Sequence, residues 1–236
     1  MTRDYLTELL KAYWFAPPVA LWRAIEIRAA SEPCLSARRP LLDLGCGDGL
    51  IGQILFPGTG EIDVGLDPWA DQVRQAAALE TYRHVDQAHG EALPYPDESF
   101  ATVFSNSVLE HIANVEPVLH EVARVLRPGG RFILTVPSHA FPHMLNGYVR
   151  RRAMGDPEGA DAYVSRVNHE LEHHHYHTPI EWEALLSKAG LTLLDTDTYM
   201  PEPAERFWDR MNRRYQVGPG SSPWRLLVSP RLRPLR

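Results

Sequence analysis

The chain has 236 residues, of which 44% are hydrophobic and 23% charged, with a formal net charge of −6. That length suits one ordinary or slightly large domain with its own core, and the acidic balance argues against a surface built for nucleic acid or acidic membranes. Two cysteines make no disulfide framework, Asp4 and Glu8 interrupt the apolar start, and no apolar run is long enough to span a membrane, so the expectation is a cytoplasmic protein in a reducing compartment.

Residues 3–30 predict two helices broken at Pro17-Pro18, with Leu6, Leu9, Leu10 and Tyr13, then Val19, Trp22, Ile25 and Ile27, at helical spacing. Trp14, Phe15 and Trp22 form an aromatic group there, read either as packing on a sheet edge or as a lid. Ser31–Pro40 reads as a polar loop.

The chain then turns on Leu41-Leu-Asp-Leu-Gly-Cys-Gly-Asp-Gly-Leu-Ile-Gly52. A short apolar strand passes through glycines at every second position into a helix from Asp48 to about Phe56, the opening unit of a doubly wound α/β fold. Alternating glycines allow a tight turn and a ligand lying against the main chain. Two ligands compete. Gly47-Asp-Gly-Leu-Ile-Gly52 satisfies the dinucleotide fingerprint G-x-G-x-x-G. A pyrophosphate, however, wants amides and little negative charge, whereas Asp43 precedes this loop and Asp48 lies in it. Two carboxylates suit a ligand with a cationic centre and an amino group.

A second strand is predicted over Glu61–Leu66, closed by Asp67 about 20 residues after the glycines, a position suited to accepting bonds from ribose hydroxyls. The bland alternative makes Asp67 a helix N-cap, with Pro68 at N1 ahead of a helix over Trp69–Ala78. Residues 82–86 are a weak third strand and Phe100–Phe104 a fourth, with Ser105-Asn106-Ser107 at its tip and a helix beginning at Val108. Glu116–Leu126 is an amphipathic helix stopped by Arg127-Pro-Gly-Gly130, and Arg131–Val136 a fifth, buried strand.

Residues 138–177 hold no obvious strand and are expected to form a substrate-covering insertion. Arg150-Arg151-Arg152 reads as a solvated face, or as a contact for an anionic substrate group. Thr178–Gly190 is a helix with Thr178 as N-cap and Pro179 at N1, and Leu191–Thr198 a further strand. Residues 203–215 predict a helix with Phe207, Met211 and Tyr215 on a core-facing stripe. Trp224, Leu226 and Leu227 suggest a seventh strand before a basic tail.

These landmarks resemble the class I S-adenosylmethionine-dependent methyltransferases, in their small-molecule branch (methyltransferase type 11, UbiE-like). The residues that carry the resemblance are Asp43-x-Gly45-x-Gly47-x-Gly49; Gly90-Glu-Ala-Leu-Pro-Tyr-Pro-Asp-Glu-Ser-Phe100; Phe104-Ser-Asn-Ser-Val-Leu-Glu-His-Ile112; Leu126-Arg-Pro-Gly-Gly130; and Thr178-Pro-x-x-Trp182. The resemblance implies a Rossmann-like doubly wound sheet, mostly parallel with an antiparallel edge strand, helices on both faces, an N-terminal helical lid and an insertion after strand five. It implies a single domain over 1–236: a cap over 1–35, a cofactor core over 36–137, the insertion over 138–177, and a late helix, strand and tail over 178–236.

It further implies S-adenosyl-L-methionine as cofactor and S-adenosyl-L-homocysteine as product, held by Asp43, Gly45, Cys46, Gly47, Gly49, Asp67, Pro68, Glu91, Ala92, Asn106 and Ser107. Glu91 stands where many relatives have Asp, to meet the adenine amino group, with the Ala92 amide on a ring nitrogen. The expected partner is a small-molecule acceptor, methylated on O, N or C, with no nucleic acid and no membrane span, by a monomer or homodimer. His111, His173 and His177 are the candidate catalytic groups, since a histidine near pKa 6.5 suits removal of the acceptor's proton.

His169-Glu170-Leu-Glu-His173 also matches the zinc-protease pattern H-E-x-x-H. The segment is so rich in His and Glu that this spacing arises readily, and Pro179 limits any helix, so no metal is expected. A nicotinamide oxidoreductase is the other rival enzyme, but the Tyr-x-x-x-Lys pair of short-chain dehydrogenases is absent. A nucleoside sensor that keeps the fold without turnover is the non-catalytic alternative.

Overall fold

The computed structural model describes residues 3–215; the seventh strand and basic tail lie outside them. Helices α1 (Tyr5–Ala12) and α2 (Pro17–Leu35) come first, then β1 (Leu41–Leu44), α3 (Leu50–Leu55), β2 (Val64–Asp67), α4 (Ala70–Ala77), β3 (Val85–Gln87) and β4 (Phe100–Asn106). A 3₁₀ turn over Leu109–His111 leads to α5 (Glu116–Val125) and β5 (Leu126–Thr135). Helices α6 (Phe141–Met144), α7 (Asn146–Ala153), α8 (Pro157–Leu171), α9 (Pro179–Lys188) and α10 (Glu202–Tyr215) follow.

By contact the chain divides into two compact units. One holds residues 29–139 and 171–197 and contains the sheet, in the order β3-β2-β1-β4-β5 with every pairing parallel. Among the described residues the expected antiparallel edge strand is absent. Leu191–Thr198, expected as the strand after the Thr178–Gly190 helix, forms none. Leu191 and Leu193 pack against the core, but Asp195 turns its carboxylate onto the Thr196 amide and the segment makes no ladder.

Each strand forms where a buried apolar run meets a turn signal. β1 is buried at all four positions, and β4 at all but its last. The core joins Leu42, Leu44 and Leu66 from β1 and β2, Val103 from β4, Val118, Leu119 and Val122 from α5, and Trp182 and Leu186 from α9. Arg127-Pro-Gly-Gly130, read as a stop before the strand, is a bulge inside it: Phe100 pairs with Leu126, yet Thr102 pairs with Arg131. Thr178 caps α9 as expected, in a full capping box with Glu181.

Strand order reverses between β1 and β4, so the crevice at their carboxyl ends is the topological switch point where ligands bind in such folds. The loop after β1 and the tip of β4 both end there.

The other unit holds residues 3–28, 140–170 and 198–215, all helical or irregular. Trp22, Phe141 and Trp208 pack their rings 5.0–6.0 Å apart. The α10 stripe faces differently from its sequence reading. Phe207 is 48% exposed, whereas Glu205, Trp208 and Asp209 are buried. Asp209 explains the rotation, because its carboxylate accepts the Gly147 amide at 2.9 Å and the Tyr163 hydroxyl at 2.6 Å. Arg150 and Arg152 are exposed, and Arg151 lies over the Tyr163 ring. The break at Pro17 falls as predicted, but α2 runs on through Pro33 to Leu35 where a loop was expected. Among the described residues no helix is long and apolar enough to cross a membrane.

Candidate active site

The glycine loop is pinned to its neighbour strand. Gly45 and Cys46 both donate their amides to the Leu66 carbonyl, at 2.8 and 3.0 Å. Gly45, Gly47 and Gly49 all have positive φ, but for different surroundings. A Cβ on Gly45 would strike the Val108 methyls, and one on Gly49 would strike Tyr82 and Leu79. Gly47 alone of the three looks onto open space, so it is the point where a ligand can lie against the backbone.

Gly52, which completed the dinucleotide pattern, has an internal purpose. A Cβ there would collide with the Tyr82 hydroxyl and stand 2.8 Å from Asp43 Oδ2. Its bareness admits the hydrogen bond that Tyr82 donates to Asp43 at 2.6 Å. Asp43 is thus enclosed rather than presented to the crevice. Burial outweighs the Tyr82 bond and pushes its carboxyl up to about 7, with the nearby Asp67 charge adding to the effect. The Cys46 thiol, also buried, is pushed well above its ordinary range, and Asp48 accepts the Leu50 amide at 3.1 Å.

Asp67 ends β2 and ties the two loops together. It accepts the Gly47 amide at 3.0 Å on one oxygen and the Trp69 amide at 2.9 Å on the other. The helix after it is capped by Trp69, not by Asp67, and Pro68 stands outside. Each Asp67 oxygen retains a lone pair for a ribose hydroxyl. Trp69, 71% exposed beside it, is a flat apolar surface that the sequence reading passed over. Glu91 is exposed in the loop after β3. The Ala92 amide, expected to be open to a base, instead donates to the His89 carbonyl at 3.2 Å.

At the β4 tip, Asn106 donates its amide to the Thr135 hydroxyl, and its buried Oδ1 has no hydrogen-bond partner among the described residues. A buried carbonyl oxygen in that condition costs about 1–3 kcal/mol, which a ligand donor at the switch point would recover. Ser107 sits at φ 50 and donates its amide to the Thr135 carbonyl. Open Gly47, two-handed Asp67 and unsatisfied Asn106 together fit a nucleoside cofactor with hydroxyl and amino donors.

Of the candidate bases, the fold brings His111 and His173 together, their rings 5.1 Å apart. His177 stacks on His175 at 4.4 Å and meets Trp182 edge-on. Burial, then the neighbouring His111, pushes His173 down to about 3, and burial lowers His175 as well. The H-E-x-x-H pattern is broken: α8 ends at Leu171, Glu172 turns to φ 57, and His173 leaves the helix. Glu170 is ion-paired with Arg213.

This fold and switch point are those of a nucleoside-binding doubly wound α/β protein. Residues 42–134 match the methyltransferase domain family. A ubiquinone biosynthesis O-methyltransferase of Methylobacterium nodulans is 29% identical over 174 residues, 71% of this chain and 66% of that protein. Methyltransferase GfsG of Streptomyces halstedii is 32% identical over 168 residues, 68% of this chain and 55% of that protein. The YcgJ protein of Bacillus subtilis superposes with a TM-score of 0.55 over 85% of this chain and 86% of that one, at 20% identity. The matched stretch spans between 40% and 66% of the length of eight curated relatives. Residues 42–134 thus carry a methyltransferase domain, and its relatives support placing it with the class I S-adenosylmethionine-dependent methyltransferases, whose cofactor is S-adenosylmethionine.

Proposed function

We propose that the protein transfers a methyl group from S-adenosylmethionine to a small molecule in biosynthetic or tailoring metabolism, as a cytoplasmic monomer or homodimer that takes no nucleic acid. Of oxygen, nitrogen and carbon acceptors, oxygen is favoured by relatives that are O-methyltransferases, such as the ubiquinone biosynthesis enzyme. The observation that carries the reading is the pairing of open Gly47 with Asp67, bonded to each other at the switch point.

In this reading Asp67 accepts the ribose hydroxyls and Trp69 lies against the adenine, with Glu91 taking its amino group. The Gly47 backbone and the Asn106 carbonyl meet the methionine portion. Asp43 acts from behind the loop, through its bond to Tyr82, and Gly45, Cys46, Gly49, Pro68, Ala92 and Ser107 shape the surrounding turns. When bound, the cofactor supplies a methyl group already activated on its sulfonium, so the protein's task is to position the acceptor and exclude water. His111 and His173 are the acceptor-side groups, and His177 with Trp182 forms part of their surroundings.

The test is calorimetry with S-adenosylhomocysteine. Asp67→Ala is expected to weaken it by roughly 1.5–3 kcal/mol, the worth of charge-assisted bonds, while the melting temperature without ligand reports loop damage separately. Unchanged affinity removes Asp67 from the site. Transfer of a labelled methyl group to any acceptor excludes a non-catalytic sensor.

A further inference from the structure

We propose that Glu110, His111 and His173 form a binding site for a divalent transition-metal ion. The three residues each place one ligand atom within 4.8 Å of the other two. Two imidazoles and one carboxylate are a donor set for Zn²⁺, Co²⁺ or Fe²⁺ rather than for Mg²⁺ or Ca²⁺, which favour oxygen alone. Around a tetrahedral ion with bonds near 2.1 Å the ligand atoms stand about 3.4 Å apart, so closure requires side-chain shifts of roughly 1 Å.

The surroundings orient these donors. His111 Nδ1 donates to the Glu172 carbonyl at 3.2 Å, and a carbonyl only accepts, so the lone pair of the neutral ring is on Nε2. That Nε2 lies 3.9 Å from Glu110 Oε1. A backbone carbonyl behind a histidine is the usual outer partner of a metal-binding imidazole. His173 Nδ1 is hydrogen-bonded with the Tyr176 hydroxyl at 2.9 Å, which assigns Nε2 as its ligating atom.

Two further bonds hold the histidine segment against the 3₁₀ turn. His174 donates its amide to the Glu110 carbonyl at 2.9 Å, and His175 Nε2 donates to the Ile112 carbonyl at 3.1 Å. Glu110 is 2% exposed whereas His111 is exposed, so an ion here is anchored from inside and open on one side. The open positions take water or an oxygen of the acceptor. That last role alone rests on the methyltransferase reading, because Glu110 follows the β4 tip by four residues.

The experiment uses the full chain, without an affinity tag and freed of metal by chelator, titrated with Co²⁺ and followed by visible absorption, and with Zn²⁺ by calorimetry. One ion per chain is expected to bind. Glu110→Gln and His111→Ala are each expected to weaken it at least tenfold, the scale on which even outer partners of metal ligands act. Both leave His173, His174, His175 and His177 in place, so undiminished binding in them assigns the ion to the histidine run alone and overturns the site. Absence of binding to the parent protein also overturns it. Circular dichroism checks that the variants fold, and Tyr176→Phe, which spares every ligand, provides a milder second variant expected to weaken Co²⁺ measurably. S-adenosylhomocysteine titrated into the same metal-free protein keeps the outcomes separate: cofactor binding without metal binding sinks only this proposal.

Discussion

At the scale of single residues, the glycine loop is understood through Gly52, Tyr82 and Asp43. The sequence presents Gly52 as the last glycine of a dinucleotide fingerprint and Asp43 as a carboxylate aimed at a cationic ligand. Both roles depend on Tyr82, which lies 39 positions from Asp43 and donates its hydroxyl to it. Nothing in the local pattern around Tyr82 signals that bond, because it is made across the fold. Gly52→Ala is expected to cost about 1–3 kcal/mol by forcing the hydroxyl away. Tyr82→Phe is expected to cost about 1–3 kcal/mol by leaving the buried Asp43 without its donor. Since both variants break the same bond, the double variant loses less than the sum in urea denaturation. Full additivity would show that Gly52 serves something other than the Tyr82–Asp43 contact.

At the scale of elements, what was legible is what depends on neighbours in sequence. Pro17, Gly49, the Thr178 capping box and the apolar runs of β1 and β4 each set a boundary through local backbone chemistry, and each lies close to its reading. Pairing and facing were less legible, because they are decided by distant partners. Leu191–Thr198 has strand composition but no ladder, and α10 turns its acids inward because Gly147 and Tyr163 bind Asp209. For the candidate site, the place of Asp67 beside the glycine loop was legible from its distance to the glycines, and its bond from the Gly47 amide sets it there. The cluster of His111 with His173 was not, since 61 residues separate His111 from the Glu172 carbonyl that orients it.

The α10 packing has a measurable consequence at Glu205. This side chain is 1% exposed, its Oε1 has no hydrogen-bond partner among the described residues, and burial, then Asp209 and Glu202, raises its carboxyl from 4.5 to about 9. Between those values the unfolded carboxyl is ionised and the folded one protonated. Folding therefore takes up a proton, and this group's contribution to stability falls as pH rises from 4.5 to 9. Glu205→Gln removes the penalty. The variant is expected to melt higher than the parent at pH 8 and by a smaller margin at pH 5.5, with an upper bound of about 3 kcal/mol at pH 7. A margin that shrinks with rising pH would mean that Glu205 is ionised and paired in the fold.

For the whole molecule, the choice between cofactor classes becomes a question of ligand-linked stability. The sheet order and the crevice between β1 and β4 are shared by folds that bind nicotinamide dinucleotides and folds that bind S-adenosylmethionine. The distinction lies in the charge placed there: Asp67 and Asp48 stand at a loop where a pyrophosphate would have to settle, and Gly52 is already accounted for by Tyr82. A ligand that binds only the folded chain stabilises it by about 2.7 kcal/mol at a hundredfold excess over its dissociation constant. For a domain of 150–250 residues each kcal/mol is worth about 2–4 °C. S-adenosylhomocysteine at that excess is therefore expected to raise the melting temperature by roughly 5–11 °C, and NADH at the same concentration to leave it unchanged. The pairing of Asp67 with the Gly47 amide makes the comparison specific, because Asp67→Ala should abolish most of the S-adenosylhomocysteine shift without creating one for NADH. A shift with NADH in the parent protein would return the dinucleotide reading to the front, whatever Gly52 does.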